Sequence, residues 1–141
     1  MQKYILVTIL CFLSQPLYAD VVYNCAEPQG YSMSSVNNQK MVKDGFTGVY
    51  PKVFLGEKTL KIVWGDTKKL GGNAEDWIFT PHITHNDQES ISGVSQDAGA
   101  HGVIHNLYTF DKVRKYLYFT RTRVMSILPF SSASVFVTKC K

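Results

Sequence analysis

Charge is scarce in this sequence, and acidic charge is scarcest. Lys, Arg, Asp and Glu together make up 18% of residues, below the ~25% usual for a globular chain. From residue 112 onward there is no Asp or Glu, whereas Lys112, Arg114, Lys115, Arg121, Arg123, Lys139 and Lys141 all fall there. Low charge with many aromatic residues excludes a solvated, disordered tail. No apolar run reaches the ~20 residues that a membrane-spanning helix needs. Heptads, internal repeats, linkers and low-complexity tracts are absent, which excludes coiled coils and solenoids. There is no Gly-x-Ser-x-Gly elbow and no Gly-Lys-Ser/Thr phosphate loop, so no enzyme signature and no cofactor requirement is found.

Cysteine is also sparse, with three in the chain. Cys11 lies inside the short apolar run from Tyr4 to Leu13, which follows the positive start Met1-Gln2-Lys3 and is broken by Pro16. With Ala19 at the cut position this is the layout of a secretory signal peptide. Residues 1–19 are therefore expected to be removed, leaving residues 20–141 as one domain, exported to the periplasm or beyond and soluble. Leu10 before Cys11 is not the small residue that a lipid-anchor site wants. Cys25 and Cys140 then remain, and two cysteines in an exported chain allow one pairing. Such a clasp would contribute up to about 4–5 kcal/mol in the chain-entropy model. It would also make the first and last strands neighbours, because bridged Cα atoms lie close together. Oxidation would consume both thiols, leaving neither for metal or catalysis.

Alternation of period two recurs along the chain. Residues 59–65 put Leu60, Ile62 and Trp64 on one face and Lys61 on the other. In residues 115–125, Tyr116, Tyr118, Thr120, Thr122 and Val124 alternate with Lys115, Leu117, Phe119, Arg121, Arg123 and Met125. In the last strand Ser134, Phe136, Thr138 and Cys140 share a face. Further β-like runs cover 21–25, 49–55, 77–85, 89–95 and 101–110. "GYSMSSV" adds one more candidate, and residues 39–44 are read as one helical turn. The breaks "GEK", "NDQ" and "QDAGA" are turn chemistry. About eight hairpin-linked strands predict an all-β domain. An up-and-down barrel is the first choice because closure removes exposed edges, and a two-layer sandwich is the second.

Candidate sites follow from these faces. The arginine-bearing face of 115–125 reads as solvated, so Lys115, Arg121 and Arg123 around Leu117 and Phe119 form an expected patch for an anionic partner. The partner classes are an anionic envelope surface, a small amphipathic ligand or a periplasmic protein. Nucleic acid is excluded by compartment and by the lack of an RNA-recognition motif. Trp64, Tyr116, Tyr118 and Phe130 are the candidate lining of a barrel mouth, with "SILPF" folding over the end as a plug. His82, His85, His101 and His105 are the only histidines. In a regular strand His82 and His85 would face opposite ways. A metal site of His85, His101 and His105 is a third reading, after ordinary strand histidines. His85, Asp87 and Ser90 lie around one turn and read as turn chemistry rather than a triad. "GDTKKLGGN" reads as a polar connection.

The opening Tyr23-Asn24-Cys25 with a late cysteine resembles the small periplasmic lysozyme inhibitors. That resemblance implies a protein-binding role acting through loops. Their Ser-Gly-x-x-Tyr loop is not matched, since Ser92-Gly93-Val94-Ser95-Gln96 has no tyrosine, and no site residue carries over. The leading expectation is an exported, non-enzymatic binding protein for a small amphipathic or anionic ligand, with the inhibitor second and a histidine metal carrier third. If the clasp forms, intact mass of exported protein will lie about 2 Da below the reduced value; two alkylatable thiols would refute it.

Overall fold

The computed structural model of the chain describes residues 20–65, 77–99, 102–126 and 130–141. The strands are β1 (Val21–Asn24), β2 (Gln29–Ser34), β3 (Val42–Gly45), β4 (Lys52–Leu55), β5 (Leu60–Val63), β6 (Ile78–Phe79), β7 (His82–Asn86), β8 (Ser90–Gly99), β9 (Gly102–Asp111), β10 (Tyr116–Met125) and β11 (Ser131–Lys139). A 3-10 turn occupies Ser35–Asn37. The strands make two antiparallel sheets. The small sheet has the order β1-β4-β5-β6 and the large one β3-β2-β11-β10-β9-β8-β7. The chain is therefore all-β, as its alternation predicts. No helix among the described residues is long and apolar enough to cross a membrane. The expected signal peptide lies outside the described residues.

Cys25 and Cys140 are disulfide-bonded and form an antiparallel bridge between the two chain ends. The backbone explains the position. Cys25 N donates to Pro51 O, on the small-sheet side, at 2.9 Å. Its neighbours turn the other way: Asn24 N donates to Lys141 O at 2.9 Å and Ala26 N to Lys139 O at 2.8 Å. The first strand thus leaves the small sheet and enters the large one at the cysteine. Pro28, buried, follows between β1 and β2, and Pro81 separates β6 from β7 in the same way. Proline cannot donate to a ladder, so each marks the place where a strand changes sheets. Gly30 lies just beyond the first change. A Cβ there would sit 1.9 Å from Val135 O, so only glycine lets β2 approach β11 this closely.

Residues directly opposite in antiparallel pairs share a face, so the registers define rows across the inner side of the large sheet. The lowest row, nearest the disulfide, is Ile91, Phe110, Leu117 and Thr138. The next is Gly93, Tyr108, Phe119, Phe136 and Gly30. These two rows meet the small sheet. Leu60, Ile62, Val53 and Trp64 are buried against them. Aromatic contacts join the layers: Trp64 to Phe119 at 5.0 Å between centroids, Tyr23 to Phe110 at 4.9 Å and Phe79 to Tyr108 at 5.9 Å. Phe46 fills the remaining side, 5.0 Å from Trp64 and 4.9 Å from Phe136.

Several expectations need correction. Residues 39–44 do not form a helical turn; Val42–Gly45 pair with β2 as an edge strand, where ladder hydrogen bonds outweigh weak local propensity. Gln96 to Gly99 of "QDAGA" are not a loop, because β8 runs on to Gly99 in register with β9; Ala100 lies outside the described residues. The core face of β10 is the opposite one: Leu117 is 0% and Phe119 1% exposed, while Tyr118 faces solvent. The readings of "GDTKKLGGN" beyond Gly65, and of Ile127 to Pro129, fall outside the described residues.

Leu60 and Ile62 of the small sheet are buried as expected, whereas Lys61, expected to be exposed, is half-buried with its ammonium 4.5 Å from the Phe54 ring centroid. Ile62→Ala is expected to cost ~2–5 kcal/mol in denaturant unfolding. Lys61→Ala should cost no more than about 1 kcal/mol, the worth of an exposed cation–π contact. Equal costs would contradict this assignment of the core face.

Candidate functional site

Above the aromatic row the chemistry of the inner face changes. The third row is Ser95, Asn106, Arg121, Ser134 and Ser32, and the fourth is Asp97, Ile104, Arg123, Ser132 and Ser34. Strands β8, β9 and β10 are ten residues long, whereas β1, β4 and β5 have four each. At ~3.3 Å per residue the described strands of the small sheet lie over only the lower part of the large one. The alternation that buries Leu117 and Phe119 therefore carries Arg121 and Arg123 to the same inner side, beyond the apolar cover.

The lower edge of this polar field is tightly built. Arg121 Nε donates to Asn106 Oδ1 at 3.0 Å, and Asn106 Nδ2 donates to Ser95 Oγ at 3.3 Å. Asn106 is 3% exposed. Buried amides need partners, and this one is fixed between a cation and a hydroxyl. Among the described residues the Tyr108 hydroxyl, the Trp64 indole Nε1 and Arg123 Nε are buried with no partner at hydrogen-bond geometry. Burial pushes the Tyr108 hydroxyl far above the usual tyrosine range, against the opposing charge of Arg121 and the approach of Arg121, Ser95 and Trp64 to the hydroxyl. Burial likewise lowers the pKa of Arg121, and the neighbouring Arg123 acts in the same direction. Among the described residues no carboxylate pairs with either guanidinium. Burying cationic and polar groups without partners is costly, and a group left so calls for a water, an ion or a ligand as its partner.

Arg123 lines two clefts. One, of about 210 Å³ at the strand ends, is lined by Ile104 and Met125 of the inner face, by Val103 and Val124 of the outer face, and by Asp97. The other, of about 260 Å³, includes Ser34, Ser132 and Ala133. A cationic group is thus flanked by an apolar cleft on one side and hydroxyls on the other.

The residues expected to line a barrel mouth are not brought together. Trp64 lies in the core at 2% exposure. Tyr116 and Tyr118 lie on the outer face, their ring centroids 6.1 Å apart, with the Lys139 ammonium 4.4 Å from the Tyr116 centroid. Phe130 begins the β10–β11 closure, where its carbonyl accepts from Met125 N at 2.9 Å. The expected surface patch is also dispersed. Leu117 and Phe119 are core, Arg121 and Arg123 point inward, and Lys115 stays at the disulfide end, donating to the Tyr23 hydroxyl at 3.2 Å.

The histidines do not converge. A bulge between Ile83 and His85 restores the face, so His82 opposite Val94 and His85 opposite Ser92 both look outward, contrary to the regular-strand expectation. His105 lies outward on β9 opposite Gln96 and Thr122. His101 is outside the described residues, and no group of His, Cys, Asp or Glu able to hold a metal occurs among the described ones. Asp87 is the centre of a turn: its Oδ1 accepts from Glu89 N at 2.8 Å and Ser90 N at 2.7 Å, and its Oδ2 lies 2.9 Å from His85 Nε2. The Ser90 backbone donor, then His85, holds the Asp87 carboxyl down at about 2. The residues that sequence reasoning missed are Asn106, Tyr108 and the inner serines. Their one signal was a shared parity with Arg121, visible only once strand register is known.

No protein-family model matches this chain, and neither a curated protein nor a solved structure resembles it. The geometry therefore stands by itself. Asn106→Leu removes the acceptor for Arg121 Nε and should destabilise the fold by ~1–3 kcal/mol. Asn106→Asp supplies a carboxylate to the same atom and should cost less. Equal losses in both variants, measured by chemical unfolding, would show that Arg121 is not fixed through this contact.

Proposed function

We propose that the chain is an exported, non-enzymatic binding protein. It holds the anionic head of an amphipathic ligand at Arg121 and Arg123, on the half of the inner face that lies beyond the described strands of the small sheet. The observation that carries this reading is a pair of inward guanidiniums without a described carboxylate partner, with Arg123 Nε buried and unpartnered among the described residues. The apolar cleft next to Arg123 supplies the wall for a hydrocarbon segment. In this reading the two sheets form one flattened barrel. The bent β1–β2 and β6–β7 segments serve both layers, and the end far from the disulfide is the mouth. The Cys25–Cys140 bond is compatible with an oxidising compartment.

A second reading, a protein that docks on another protein, is favoured by the outer face. There Val94, Leu107, Thr120, Val135 and Tyr31 form one exposed, uncharged row. Calorimetry with laurate and dodecyl maltoside, both below micelle formation, separates the readings. Laurate should bind one-to-one and the maltoside not. Arg121→Gln with Arg123→Gln should weaken laurate at least about tenfold, about 1.4 kcal/mol, and Leu107→Glu should leave it unchanged. Absence of laurate binding, or equal binding of both compounds, would overturn the ligand reading.

A further inference from the structure

Resting on that reading, we infer that the anionic group is a phosphoryl group, seated on Arg123 and backed by Arg121. The inference comes from which guanidinium edges are free. A guanidinium can grip an oxyanion end-on, through its two terminal nitrogens, or side-on, through Nε and one of them. Arg121 spends its Nε on Asn106 and faces the Tyr108 hydroxyl, so the edge it can turn to a ligand is the end-on one. Arg123 Nε is buried and unpartnered, which leaves the side-on fork. The two residues stand two apart on one strand with their side chains on one face, so the forks address a common space.

A carboxylate has two oxygens, and one fork satisfies both. The second arginine would then face the first across a neutralised partner that it does not touch. A phosphate monoester carries three terminal oxygens and a charge of about −1.5 to −2 at pH 7. It fills both forks and balances both cations. The residues around the forks fit the same group. Ser32 and Ser134 continue the row of Arg121, and Ser34 and Ser132 that of Arg123. Each offers a hydroxyl donor with little bulk. Asp97 ends the Arg123 row on the opposite side, beyond Ile104. Its repulsion places the phosphoryl oxygens on the serine side, where the larger cleft lies. The apolar cleft bounded by Ile104 and Met125 is left for the ester substituent.

The test compares dodecyl phosphate, laurate and inorganic phosphate by calorimetry on the disulfide-bonded protein, at pH 5 and pH 7.5. Dodecyl phosphate should bind at least about tenfold tighter than laurate at pH 7.5. The preference should shrink at pH 5, where the monoester loses its second charge (pKa about 6). Arg123→Lys keeps the charge but loses the fork, and should remove most of the preference while leaving laurate within about threefold. Arg123→Gln, with an unfolding curve as the check on folding, should lower phosphate affinity further. Inorganic phosphate binding as tightly as dodecyl phosphate would support a phosphoryl site fed by free phosphate or a small ester. Weaker inorganic binding would support a lipid-like monoester. Laurate equal to or tighter than dodecyl phosphate would overturn the phosphoryl inference and leave the anionic-ligand reading standing. No binding by any of these compounds would overturn both.

Discussion

Strand length is the constraint on which the rest of the structure depends. The long strands β8, β9 and β10 have ten residues each, and the strands β1, β4 and β5 packed against them have four. Apolar side chains can be dried only where both layers are present. The inner face of the large sheet accordingly divides by row. Ile91, Phe110, Leu117, Tyr108, Phe119 and Phe136 lie under the cover and are buried. Beyond it the same faces carry Asn106, Arg121, Arg123 and serines. The transition takes one residue pair along each strand, from Phe119 to Arg121 and from Tyr108 to Asn106.

The covered end is also the clasped end. Cys25 passes from one sheet to the other between Pro51 and the last strand, and the disulfide fixes that passage. Thr138 Oγ1 donates to Ala26 O at 2.6 Å beside it. Disulfide, proline bends and aromatic row together make one rigid half. A binding site benefits from being built on such a base, because side chains held by rigid strands need little reorganisation when a ligand arrives. Asn106 extends the rigidity upward by fixing Arg121 through Nε, and Arg123 Nε is left without a partner among the described residues.

Much of the fold was legible in the residues. The alternation of Leu60, Ile62 and Trp64 gave the correct core face. The penultimate cysteine gave the pairing of the chain ends, and the turn residues after His85 gave the β7–β8 reversal. The β10 strand was misread for a physical reason. Its two faces, Tyr/Thr and Leu/Phe/Arg, are both mixed, and arginine ordinarily marks the solvent side. Parity alone says which residues travel together; it does not say which set turns inward, because that depends on how far the opposing sheet reaches. The inner rows were illegible for the same reason, since Asn106, Ser134 and Arg121 meet only through register. A one-residue bulge at Thr84 reversed the expected relation of His82 and His85, and bulges leave little trace in composition.

The central claim is that the arginine rows face an interior site, not the solvent-side surface that their charge suggests. The most direct measurement is a nitrogen-resolved side-chain NMR titration with dodecyl phosphate. It follows the indole N–H of Trp64, the Nε–H groups of Arg121 and Arg123, and the backbone amides of the outer row. The structure predicts shifts in Trp64, Arg121 and Arg123 with Val94, Leu107 and Val135 unmoved. Shifts confined to the outer row, with the Trp64 indole and both guanidiniums unchanged, would contradict it.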